Sequence, residues 1–176
     1  MFDPARSPRL RPDATTRDAE CPPRTLVLGL GNALLGDDSV GLRVVQHVQS
    51  HLEFHPDIDV DEDTGGGLRL MERLIGYDRA VLVDAQCSGG EPGTVDVLPV
   101  DVIPTQHSHS AHDVNLRMAL ELGRRAGARL PATDAIRLVT IEILPAWTFS
   151  EECTPAVEAS IGHATQTVLA LLTAWR

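Results

Sequence analysis

The chain has 176 residues, 43% hydrophobic and 23% charged, which is the make-up of one folded domain and excludes a disordered or membrane-spanning protein. Its formal net charge of -10 repels a phosphate backbone, and with no Lys/Arg-rich run to offset it, nucleic acid is excluded as a partner. In chain order, residues 1–23 hold arginines and prolines without the apolar core of a secretory signal, and read as a flexible tail before a folded unit over 24–176. Residues 25–30 are a short apolar run ending at Gly29-Leu30-Gly31, the pattern of a buried strand entering a tight turn. Val40, Val44, Val48 and Leu52 recur every four residues and predict a helix over 39–54, with Asp37, Asp38 and Ser39 available as caps and Pro56 as the stop.

A brief strand over 58–60 follows, then a helix over 68–75 behind Gly65, Gly66 and Gly67, and a central buried strand over 80–84. Residues 94–98 and 136–143 read as strands, and 114–126 and 155–175 as helices. Strands alternating with helices imply an α/β fold: a single domain built on a mainly parallel, twisted sheet of about five strands, with helices on both faces. No apolar run approaches the roughly 20 residues needed to cross a bilayer. Cys21, Cys87 and Cys153 lie too far apart for a disulfide framework or a CxxC pair, so a reducing cytoplasm is the expected setting and a monomer the expected state.

In sheets of this kind ligands gather at the carboxyl ends of the strands, which directs attention to residues 31–38 and 84–90. Three candidates occupy strand ends or helix starts: Asp38, Asp84 and His112. Two carboxylates and an imidazole suit a borderline divalent ion, and three protein ligands leave positions open for water or a substrate's own ligands. Each has a plainer reading. Asp38 sits where helix caps occur, whereas Asp84 ends the apolar run Ala80-Val81-Leu82-Val83 and, being charged, needs a partner or solvent.

Other patterns carry less. His47, His51 and His55 are spaced by four and would share a helix face, but Pro56 frays the end bearing His55, so solvated surface is the better reading. Asp63-Thr64-Gly65 copies the triplet of aspartic proteases, whose chemistry needs two such carboxylates, and only one copy is present. Gly29-x-Gly31 with Asp61 or Glu62 would suit a dinucleotide, but the third glycine comes late, at Gly36. Cys87, three residues after Asp84, is the nearest thiol to the candidate loop and reads as a small buried residue rather than a nucleophile.

Two resemblances enter at this point. The run His107-Ser108-His109-Ser110-Ala111-His112-Asp113 resembles the HxHxDH signature of metallo-β-lactamase-like hydrolases, though Ala111 stands where that pattern needs aspartate; a metallohydrolase using His107, His109 and His112 is therefore an alternative. The segment Leu26-Val27-Leu28-Gly29-Leu30-Gly31-Asn32-Ala33-Leu34-Leu35-Gly36-Asp37-Asp38-Ser39-Val40-Gly41 resembles, at greater length, the N-terminal signature of hydrogenase maturation proteases. That likeness continues through Gly67-Leu68, Val81-Leu82-Val83-Asp84-Ala85, Ser110-Ala111-His112-Asp113 and residues 149–157. It implies an endopeptidase that trims the C-terminal extension of a nickel-loaded nickel-iron hydrogenase large-subunit precursor. It also implies that Asp38, Asp84 and His112 recognise nickel carried by that precursor and form the catalytic site. Many relatives have glutamate at the position of Asp38 and a Gly-Gly-Thr order where this chain reads Asp63-Thr64-Gly65-Gly66-Gly67. A non-proteolytic nickel-sensing chaperone of the precursor is the other reading of the same ligands.

Overall fold

The computed structural model describes residues 22–52, 55–100, 116–145 and 149–175, and each anticipated element falls in its place. The strands are β1 (Thr25–Leu30), β2 (Ile58–Asp63), β3 (Arg79–Gln86), β4 (Val95–Pro99) and β5 (Ile136–Glu142). The helices are α1 (Val40–His51), α2 (Gly67–Leu74), α3 (Leu116–Arg125) and α4 (Pro155–Ala174). They build one five-stranded sheet in the order β2-β1-β3-β5-β4, parallel except for β4, which runs against β5. The expected tail over 1–23 falls almost wholly outside the described residues, as do His107, His109 and His112.

The period of two along each strand sorts the core into two chemically distinct halves. Val27, Val81, Val83, Val139 and Ile141 point to the side covered by α1 and α4. Leu26, Leu28, Leu82, Ile136 and Leu138 point to the other, against Leu70 and Leu74 of α2 and Leu116 and Leu120 of α3. Both faces are thereby buried, as a parallel sheet requires. No helix among the described residues is long and apolar enough to cross a membrane.

Three boundaries differ from expectation, each for a local reason. Helix α1 stops at His51, because Leu52 leaves the helical region at φ -85° and ψ 88°; His55 is therefore not on the histidine face. Strand β2 continues to Asp63, its polar end Asp61, Glu62 and Asp63 staying in register with Leu28, Gly29 and Leu30. An edge strand can carry polar side chains that a central one cannot, and this hid its true length. Strand β3 likewise runs on to Gln86, paired with Glu142.

The topology fixes where a crevice forms. From β1 the chain passes through α1 to β2 on one side, then crosses back through α2 to β3 on the other. The β1/β3 boundary is thus the point where strand order reverses, and loops leaving the carboxyl ends there diverge and leave space between them. Helix α1 is seated close over this boundary by glycine. A methyl group added at Gly41 would lie 2.5 Å from the carbonyl oxygen of Val83 and overlap that of Leu30, and one at Gly29 would lie 2.5 Å from the carbonyl oxygen of Gly41. Gly31 turns the chain out of β1 at φ +141°, a conformation that L side chains rarely adopt, and a methyl group added there would overlap the carbonyl oxygen of Asp38.

Candidate functional site

The loop after β1 is a short 3-10 turn, Gly36–Ser39, that packs against β3. Its two adjacent aspartates have different work. Asp37 is 3% exposed and turns away from the crevice: its carboxylate accepts the Thr154 backbone N–H at 2.6 Å and the Thr154 hydroxyl at 2.9 Å. Thr154 is the residue before α4, so Asp37 ties the β1 loop to the start of that helix. The tie is reinforced by the Gly36 N–H donating to Ser150 O at 2.7 Å and the Ser150 N–H to Leu34 O at 3.1 Å. Neither aspartate nor Ser39 caps α1 through its side chain, which corrects the capping expectation.

With Asp37 committed to α4, Asp38 is the acidic group the turn presents at the sheet edge. It is half-buried, and its carboxylate accepts the Asn32 backbone N–H at 2.8 Å, which holds it inward across its own loop. Asp84 lies next to this turn, one residue after Val83, whose carbonyl abuts Gly41. It is half-buried at the carboxyl end of β3. The structure therefore brings Asp38 and Asp84, 46 positions apart in the sequence, to the same edge at the β1/β3 boundary.

His112 lies outside the described residues. The nearest described position is Leu116, four residues on, which opens α3. The far end of that helix is at the amino-terminal edge of the sheet, where the Gly76 N–H beyond α2 donates to Arg129 O at 2.9 Å. Helix α3 consequently starts toward the carboxyl edge, the edge that carries Asp38 and Asp84. Among the described residues, no group of three His, Cys, Asp or Glu side chains is placed to hold a metal ion.

Glu142 is a member of this edge that the sequence did not announce. It is 2% exposed at the carboxyl end of β5, and it organises the whole loop after β3. Its carboxylate accepts the backbone N–H groups of Ser88 at 2.7 Å, Gly89 at 2.8 Å and Gly90 at 3.0 Å, together with the Ser88 hydroxyl at 2.7 Å. Burial by itself would raise the Glu142 carboxyl, but these donated bonds outweigh it and hold the group below the usual carboxylate range. The only hint in the sequence was a charged residue ending an apolar strand, the same signal that marked Asp84.

A depressed folded pKa makes Glu142 a source of acid sensitivity. Its stabilising contribution is complete above its unfolded value of about 4.3 and is lost as pH falls through the lower folded value. Thermal melts from pH 6 downward are expected to show a steeper loss of stability in the wild type than in Glu142→Gln, which starts less stable but has no proton to take up at that position.

Cys87 begins the loop that Glu142 holds. Burial pushes its thiol above the ordinary value, and the carboxylates of Glu142 and Asp38 push it further. A thiol so placed stays protonated at neutral pH and is a poor nucleophile. The hydroxyls on the same two loops are engaged as donors, Ser39 to Gly36 O at 2.6 Å and Ser88 to Glu142. The aspartic-protease triplet resolves into architecture: the Asp63 side chain, 2% exposed, pairs with Arg69 at 2.9 Å and Arg73 at 3.5 Å and accepts the Gly65 N–H at 2.8 Å. Of the two dinucleotide candidates, Asp61 pairs with Arg73, and Glu62 accepts from the Gln46 side chain at 3.0 Å.

Comparison with known proteins identifies similar sequences and folds. The family model described as hydrogenase maturation protease matches residues 42–171. The hydrogenase expression/formation protein HupD of Rhizobium leguminosarum bv. viciae is 35% identical over 82 residues, 47% of this chain and 41% of that protein; the matched part thus spans less than half of that relative. The hydrogenase 2 maturation protease of Escherichia coli strain K12 is 28% identical over 152 residues, 85% of this chain and 90% of that protein. Among solved structures, the hydrogenase maturating endopeptidase HybD from E. coli superposes with a TM-score of 0.66 at 29% identity, covering 85% of this chain and 92% of that one.

Proposed function

The chain belongs to the hydrogenase maturation protease family, and from that premise we propose that it removes the C-terminal extension of a nickel-loaded nickel-iron hydrogenase large-subunit precursor. Asp38, Asp84 and His112 take the nickel that the precursor carries. The observation that supports this reading best is the convergence of Asp38 and Asp84 on the β1/β3 boundary, with α3 starting toward the same edge. Nickel is cargo in this scheme, part of the substrate.

Two carboxylate oxygens and an imidazole nitrogen are a donor set for a borderline divalent ion, and such a set leaves coordination positions for the precursor's own ligands. Selectivity then follows from electrostatics. An empty precursor meets paired negative charges with nothing to neutralise them, whereas a loaded one supplies the cation that both carboxylates favour. Recognition by ligation thus makes processing wait for metal insertion.

The rim of the crevice suits a macromolecular substrate. Leu34, Leu144 and Phe149 are 54%, 60% and 81% exposed. Leu34 and Phe149 are brought near one another by the pairing of Leu34 with Ser150, and Leu144 follows the residue whose N–H donates to Gln86 O. Large apolar side chains left in water beside an acidic crevice are a feature of protein-binding edges.

The test is to incubate purified protein with nickel-loaded and with metal-free precursor and to follow the precursor's mass. Cleavage of the loaded form alone is expected. Tight binding of the loaded form with no change in mass would instead support the nickel-sensing chaperone, and equal cleavage of both forms would remove nickel recognition from the scheme.

A further inference from the structure

Across the three strands β3, β5 and β4, residues in register form rows on one face of the sheet. One row is Leu82, Leu138 and Leu98, all packed in the core beneath α2 and α3. The next row toward the carboxyl edge is Asp84, Thr140 and Asp96. One step along the sheet, the floor changes from leucine to oxygen-bearing side chains.

Thr140 stands in the middle of that row. It is 2% exposed, yet among the described residues its hydroxyl has no hydrogen-bond partner. Buried hydroxyls are nearly always bonded, so an exception asks for an explanation. Shape does not supply one, because valine has the same outline, and the buried hydrophobic residues of β5 around it are aliphatic: Ile136, Leu138, Val139 and Ile141. The hydroxyl is held at a place where a methyl group would fit without cost.

Neighbouring strands lie about 4.8 Å apart, which puts the side chains of register partners within reach of each other. Of the acidic groups near Thr140, Glu142 is saturated by the loop after β3 and Asp96 is exposed to solvent. Asp84, half-buried, is the register partner of Thr140 on β3. We propose that Thr140 is a positioning residue for Asp84, its hydroxyl donating to the Asp84 carboxylate when that group takes up the precursor's nickel. This rests on the assignment of Asp84 as a nickel ligand made above.

A carboxylate that binds an ion through one oxygen is free to swing about its bond to the chain. A hydrogen bond donated to the second oxygen fixes the plane and aims the first. Removing such an outer partner lowers metal affinity or activity about 10- to 100-fold.

The experiment compares wild type with Thr140→Val and Thr140→Ser. Because the hydroxyl has no hydrogen-bond partner among the described residues, Thr140→Val is expected to melt at the wild-type temperature or above it. Its affinity for Ni2+, titrated calorimetrically into the full-length protein, is expected to fall about 10- to 100-fold, with a similar fall in processing of nickel-loaded precursor. Thr140→Ser restores both. Wild-type Ni2+ affinity in Thr140→Val would overturn the proposal, and so would a lowered melting temperature with no rescue by serine. Asp84→Asn, measured in parallel, separates the levels: if it binds Ni2+ and processes precursor like wild type, the ligand assignment itself fails. If Asp84→Asn loses both while Thr140→Val loses neither, only the role of Thr140 fails.

Discussion

Asp84→Asn is expected to lower processing of nickel-loaded precursor by more than about a hundredfold, beyond the loss usual for an outer partner of a metal ligand, while leaving the protein folded. The amide has the size of the carboxylate, and the backbone ladder that pairs β3 with β1 and β5 does not involve the side chain. What changes is charge. A divalent ion held by oxygen donors gains most from anionic ones, and a neutral amide oxygen in place of one carboxylate forfeits much of that attraction at a half-buried position, where water screens poorly. The two measurements are the mass of the large subunit after incubation and the thermal melt of the variant. Wild-type processing by Asp84→Asn would remove Asp84 from the site; lost processing with a collapsed melt would make its role structural.

Gly41→Ala is expected to have the largest effect on stability, about 3 kcal/mol or more, toward the upper end of what overpacking costs. The new methyl would press on the backbone oxygens of Leu30 and Val83, which belong to adjacent strands in register. Side chains can shift to relieve crowding, but these carbonyls can move only by parting β1 from β3 or by lifting α1 off both. Because the crevice is formed at that same boundary, activity is expected to fall with stability. Gly162→Ala is the control, since nothing lies within 4 Å of a methyl group there and alanine in a helix is favoured by up to about 1 kcal/mol. Urea unfolding of both variants checks the pair: a midpoint for Gly41→Ala equal to wild type would refute the close seating of α1.

Helix and strand positions were legible because they depend on local pattern. The four-residue valine period of α1 states which side is buried, and the apolar runs of β1, β3 and β5 state that both sides are, before any partner is known. Where pattern failed, tertiary position had overridden it. Asp61, Glu62 and Asp63 look like a polar loop, but they extend β2 because an edge strand keeps its backbone pairing while its side chains meet solvent and arginine.

The candidate site divides in the same way. Motif and strand-end position singled out Asp38 and Asp84, and the resemblance in the sequence carried the chemistry to be expected of them. Sequence alone offered Asp37 only as a possible helix cap, and gave Thr140 and Glu142 no role. Those distinctions depend on partners more than 40 residues away: Asp37 on Thr154, Glu142 on the 88–90 loop, Thr140 on its register with Asp84. A carboxylate or hydroxyl has the same formula in a cap, a loop anchor or a ligand. Only folding decides which donors surround it, and therefore which of these it is.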